Sequence, residues 1–173
     1  MLQIKHKDYQ LSESLLNFVF CFVWFGNLII NLDHGSVPAA TKVIKRDLSL
    51  DNAQLGKLGS VVFGGLVIGS MFATVVFNKL KYKHILTVSF FGNAIGLLIV
   101  SQTKNYYWVV LGRFLSGFNQ ILHQVYVPVF VDAYGTSTSS KSVWMSFMLL
   151  CCPMGVIIGY EMAAIAMYYS TWQ

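Results

Sequence analysis

An arginine inside an apolar stretch is the first residue that demands a chemical explanation. Arg113 lies in the segment from Tyr106 to Val131. A charge at the centre of a membrane helix costs from about 3 to more than 10 kcal/mol, so one that survives has a partner or lines a cavity. On a helical wheel at about 100° per residue, Ser116, Gly117, Gln120, His123, Gln124 and Val127 fall within about 80° of Arg113. Leu, Phe, Ile and Val occupy the other faces. Such a stripe either faces a water-filled path or forms the hydrogen-bonded, buried side of a helix, and the residues alone leave both open.

The first long apolar segment answers it with Asn27, Asn31 and His34 at i, i+4 and i+7, and with Asp33 beside them. Antiparallel helices place Asp33 and Arg113 in the same outer half of a membrane. A pair between them would offset both desolvation costs. Protonating Asp33 would then free Arg113 for an anion or for a second conformer. The competing reading is an Asp33 that snorkels into the outer headgroups. Glu161, two residues past Gly159 in the last apolar segment, is a further candidate for coupling at similar depth. No metal constellation is expected, because the four histidines fall in four different segments. P-loop, G-x-S-x-G, H-E-x-x-H and paired-carboxylate patterns are all lacking, so the sequence does not point to an enzyme, and it implies no cofactor.

The elements that carry these residues follow from composition. Of 173 residues, 55% are apolar and only 11% are charged, against roughly 25% charged in a soluble domain. With a mean hydropathy of +0.59, no water-facing surface could be covered. Soluble enzyme, disulfide scaffold, disordered tail and coiled coil are excluded. The net charge of +5 is scattered over short breaks, which argues against a nucleic-acid partner. Cys21, Cys151 and Cys152 lie in apolar runs and read as packing residues.

Five apolar segments long enough to span a bilayer predict an all-α membrane protein. The expected helices cover about 15–38, 53–77, 84–102, 106–131 and 143–168, after a cytoplasmic tail at 1–14. The first is too long for a signal peptide and lacks an A-x-A cleavage site. Breaks this short force consecutive helices to run antiparallel. Six basic residues against five favour a cytoplasmic N-terminus. Small residues recur four apart, as in Gly65 and Gly69, Gly92 and Gly96, Gly112 and Ser116, and Gly155 and Gly159. Such pairs let helix backbones approach closely in lipid and predict a packed bundle.

Three stretches resemble the N-terminal half of a major facilitator superfamily transporter, closest to the Spinster-like branch. "NLDHGSVPAA" puts Asp33 at the acidic position of the first span. "LGRFLSGFNQ" matches the fourth-span motif through Arg113 and Gly117. "PMGVIIGY", from Pro153 to Tyr160, resembles the Spinster form of the fifth-span gate, with Gly155 and Gly159.

The resemblance implies two six-helix halves around a central cavity, alternating access, and inverted three-helix repeats. It also implies a role for Asp33 and Arg113 in proton coupling. Asn31, His34, Gln120, Gln124 and Glu161 join them as candidate substrate or coupling residues. Gly117, Pro153, Gly155, Gly159 and the second-to-third junction (Asn78, Lys79, Lys83) join as candidate gate residues. Three positions depart from the pattern. Asn78 replaces an acidic residue and Lys81 a glycine in that junction, and Gln120 stands where Spinster-like proteins commonly have Glu.

The chain reaches Trp172 and Gln173, which resemble the entry to a sixth helix, so a six-helix bundle truncated before helix 6 is expected. The implied function is a transporter fragment moving a small or amphipathic solute, lysolipid- or sphingolipid-like in this branch. Its partners would be that solute, protons, the lipid bilayer, and a missing C-terminal half or partner chain. The alternative is a non-transporting half-transporter that acts as an assembly or interaction subunit.

Overall fold

Ser12 opens the first helix, its hydroxyl accepting from the Leu15 amide at 3.4 Å. From there the computed structural model, which describes residues 12–135 and 137–169, is built of five helices. These are α1 (Glu13–Asp47), α2 (Asn52–Lys79), α3 (Tyr82–Gln102), α4 (Tyr106–Tyr134) and α5 (Thr138–Tyr169). No strand occurs among the described residues. Most of the expected tail, at 1–11, lies outside them, as do Trp172 and Gln173.

The helices run past the apolar segments that announce them. Pro38 was expected to close α1, yet the helix continues to Asp47. Proline removes one intrahelical hydrogen bond, here the one to the His34 carbonyl. Beside the gap, Ser36 and Thr41 hydroxyls bond the Leu32 and Val37 carbonyls at 2.9 and 3.0 Å. Lys45 and Arg46 in the last turn suit the negative end of the helix. The serine-rich stretch after Gly135 was expected as a loop up to Val143. Instead Ser137 accepts from the Ser140 amide at 3.1 Å and α5 starts at Thr138.

The α1–α2 turn is tightly specified. Asp51 caps α2 in a reciprocal box with Gln54, at 2.6 and 3.1 Å. Ser49 before it has φ 52°, a left-handed conformation that costs a side-chain-bearing residue about 1–2 kcal/mol. Ser49→Gly should therefore raise stability by up to about 1 kcal/mol, and Asp51→Ala should lower it by about 1 kcal/mol. Thermal unfolding in detergent would read both shifts, which have opposite signs.

Packing divides the helices into an α1–α5 pair and a group in which α4 lies between α2 and α3. Backbone contact makes both crossings close. A Cβ on Gly155 would lie 2.6 Å from the Leu28 oxygen, and one on Gly159 would lie 2.8 Å from the Leu32 carbonyl carbon. At α2, a Cβ on Gly65 would lie 2.8 Å from the Phe118 nitrogen, and one on Gly69 would lie 2.7 Å from the Phe118 oxygen.

These are the same crossing built twice. Leu28, Asn31 and Leu32 on α1 take the parts of Phe114, Gly117 and Phe118 on α4. Both crossings are parallel, since ascending positions meet ascending ones. Across α3 and α4 the order reverses: Gly96 meets Gly112, while Ser89 bonds the Asn119 carbonyl at 2.8 Å.

Phe18, Phe25, Phe63, Met71 and Phe91 point outward with more than half their surface exposed, and such apolar exteriors suit lipid. By length and composition α1, α2, α3 and α5 can each cross a membrane. α4 falls outside that set because Arg113, Gln120, His123 and Gln124 dilute its apolar content. It is instead the most enclosed helix, with those first three residues buried.

Candidate functional site

Arg113 and Asp33 meet in the interior. Arg113 Nη1 donates to Asp33 Oδ2 at 2.9 Å, and the residues are 3% and 5% exposed. The pair joins α1 to α4, as the reading from spacing expected. Asp33 Oδ1 and Arg113 Nε have no hydrogen-bond partner among the described residues. Each charge thus relies on the other. A buried pair of this kind is strongly destabilising to break, because one uncompensated charge is left behind.

A chain of polar contacts extends from the pair. His34 Nε2 lies 4.0 Å from Asp33 Oδ1 and 3.0 Å from Gln120 Oε1. An amide oxygen only accepts, so His34 donates to Gln120. The Gln120 amide reaches Asn31 Oδ1 at 3.5 Å, and Asn31 donates to the Asn27 carbonyl at 2.7 Å. Asn27 in turn donates to the Met148 carbonyl on α5 at 3.1 Å. Phe63 of α2 stacks on the His34 ring, centroids 6.0 Å apart. Five candidates (Asp33, Arg113, His34, Gln120 and Asn31) are thereby brought into one network spanning α1, α4 and α5.

Two openings flank α1. Asp33 and Arg113 floor an apolar groove of about 410 Å3, walled by α1, α3 and α5. On the opposite face of α1, Asn27, Asn31 and Gln124 line a cleft of about 340 Å3 between α4 and α5.

The other candidates fall elsewhere. Glu161 is exposed on the α5 face turned away from Gly155 and Gly159 and makes no ion pair or hydrogen bond among the described residues. Its grouping with the site is not seen; two residues past Gly159 is about 200° around the helix, so adjacency in sequence becomes opposition in space. Asn78, Lys79 and Lys83 are exposed at the α2–α3 junction, without an ion pair among the described residues. Gly117 packs on the Val62 carbonyl of α2. Pro153 lies within α5, exposed, one turn beyond Leu149 of the cleft.

The site also contains groups that were not among the candidate residues. Asn27 anchors the network on α5, and its place in the i, i+4, i+7 series was the available signal. Pro128, inside α4, lines the cleft beside Gln124. A proline within an apolar span was the signal for that one.

A multi-helix membrane bundle with an internal ion pair and twice-built helix crossings describes the class. A family model, the Major Facilitator Superfamily, matches residues 23–173, and the chain belongs to that superfamily. It is 26% identical over 144 residues to the sphingosine-1-phosphate transporter SPNS2 of Danio rerio, covering 82% of this chain and 28% of that protein. The Spinster-like resemblance is thus supported. To the putative polyol transporter 2 of Arabidopsis thaliana it is 25% identical over 134 residues, covering 78% and 26%. To the sugar transporter ERD6-like 9 of the same plant it is 24% identical over 150 residues, covering 87% and 46%. The chain spans about a quarter of the length of the first two relatives. No solved structure gives a significant match.

Proposed function

We propose that the chain supplies helices of a transporter that moves a small or amphipathic solute by alternating access, with Asp33 and Arg113 as its switch. The observation that carries this is the buried ion pair, tied through His34, Gln120 and Asn31 to a cleft between helices. Intramembrane charges are expensive and mark ion and substrate pathways. A network from pair to cleft lets occupancy of the cleft bias the pair, and the state of the pair bias the cleft. The similarity to transporters of sphingosine 1-phosphate and polyols keeps lipid-like and hydroxylated solutes as the two candidate classes.

Asp33 is the proton-carrying group in this reading. Gln120, at the position often acidic in Spinster-like proteins, cannot titrate. The C-terminal half or a partner chain would complete the cavity, and the N-terminus would face the cytoplasm. Asn78 and Gln120, both uncharged, favour the second reading, a non-transporting assembly subunit.

Uptake into proteoliposomes carrying the intact protein separates the two. An imposed proton gradient is expected to accelerate uptake, and Asp33→Asn should remove that acceleration. Gradient-independent uptake would refute Asp33 as proton carrier, and no uptake of any solute class would favour the assembly subunit.

A further inference from the structure

The cleft between α1, α4 and α5 has a chemistry of its own. Asn27, Asn31 and Gln124 supply its polar lining, and no Lys, Arg, His, Asp or Glu lines it among the described residues. Asn27 and Asn31 are occupied by bonds within the protein. Gln124 is half-buried and makes no hydrogen bond among the described residues, so its amide is available as both donor and acceptor.

Two prolines add acceptors. Pro128 has no N–H for the Gln124 carbonyl, and Pro153 has none for the Leu149 carbonyl. Gln124 and Leu149 line this same cleft from opposite walls. The cation of the neighbourhood, Arg113, is committed to Asp33 and borders the groove on the other side of α1.

We infer that this cleft is a subsite for an uncharged, hydroxyl-bearing portion of the solute. The inference rests on the transporter reading and narrows its substrate class. Hydroxyl groups both donate and accept, so they can satisfy released carbonyls and a free amide together. A phosphate offers acceptors and negative charge, and here it would meet acceptors and no cation. Burying it unpaired costs far more than burying a hydroxyl that finds its partners. An ammonium would find acceptors but no carboxylate.

Cys152 is an internal reporter, because it lines the cleft and is exposed. Its alkylation by N-ethylmaleimide in the intact protein can be followed by peptide-resolved mass spectrometry, with Cys21 as the internal control. Sorbitol is expected to slow alkylation of Cys152 in a saturable way, about tenfold once 90% of sites are filled, and to leave Cys21 unchanged. Dodecyl phosphate and dodecylammonium should not protect. Gln124→Leu keeps the volume and removes the free amide, so it should abolish the sorbitol effect while unliganded Cys152 reacts as before. Gln124→Asn, which keeps an amide, should retain part of it. Protection by dodecyl phosphate or dodecylammonium instead of sorbitol, or sorbitol protection unchanged in Gln124→Leu, would overturn the assignment. Transport is scored separately by uptake, so those results would leave the transporter reading standing.

Discussion

Arg113→Gln is expected to abolish uptake and to destabilise the protein by about 3–5 kcal/mol, because it leaves the Asp33 carboxylate buried and unpaired. Asp33→Asn should cost about as much from the other side. The double variant Asp33→Asn, Arg113→Gln is the informative one. Two amides in van der Waals and hydrogen-bonding contact carry no charge, so much of the lost stability should return. Uptake should not return, since neither member can then change its charge. Unfolding in detergent and uptake by the same preparations would measure both. A double variant that transports would remove the ion pair from the mechanism, and additive losses of stability would show that the two residues do not depend on each other.

Gly35→Ala is expected to have the next largest effect. Its Cβ would fall 2.6 Å from the Tyr160 nitrogen and 2.8 Å from the Val156 carbonyl carbon, and closer still to the Val156 oxygen. All three are backbone atoms of α5, so no rotamer change relieves the clash and α1 must move away. The cost should reach the upper end of the about 1–3 kcal/mol seen for overpacking. Moving α1 also shifts Asp33, two residues away, so uptake should fall with stability. Gly56 and Gly59 serve as controls, because a Cβ at either meets nothing within 4 Å. Alanine there should stabilise α2 by up to about 1 kcal/mol. Opposite signs from one substitution type would establish that contact, not glycine content, decides the outcome.

The ion pair was legible in the sequence because membrane energetics leaves two isolated charges few choices. Asn31, His34 and Gln120 were legible through helical spacing, which aligns side chains before any packing is known. Helix ends were not, because hydropathy marks where apolar side chains stop, whereas Ser137 and the turns beyond Pro38 sustain helix by local hydrogen bonds and end charges. The doubled crossing is what the inverted three-helix repeats implied by the resemblance predict, but not all the residues that form it were legible. Small-residue spacing flagged Gly65, Gly69, Gly155 and Gly159, but nothing in side-chain type singles out Phe114, Gly117 and Phe118 as counterparts of Leu28, Asn31 and Leu32. The likeness lies in backbone approach. Glu161 stands apart from the pair because depth along a helix says nothing about azimuth.

Helix length has a mechanical corollary. α1 and α5, with 35 and 32 residues, extend about 52 and 48 Å, while α3, with 21, extends about 31 Å. The hydrocarbon of a typical bilayer is about 30 Å thick. α3 therefore matches it almost upright, and the α1–α5 pair must tilt or protrude. A thinner bilayer adds more tilt to the long helices than to α3. α4, with 29 residues, extends about 43 Å. Asp33 on α1 and Arg113 on α4 thus both ride on helices longer than the hydrocarbon, so the bond between them ties together two helices that must accommodate the same mismatch. Membrane thickness thereby bears on both members of the ion pair together.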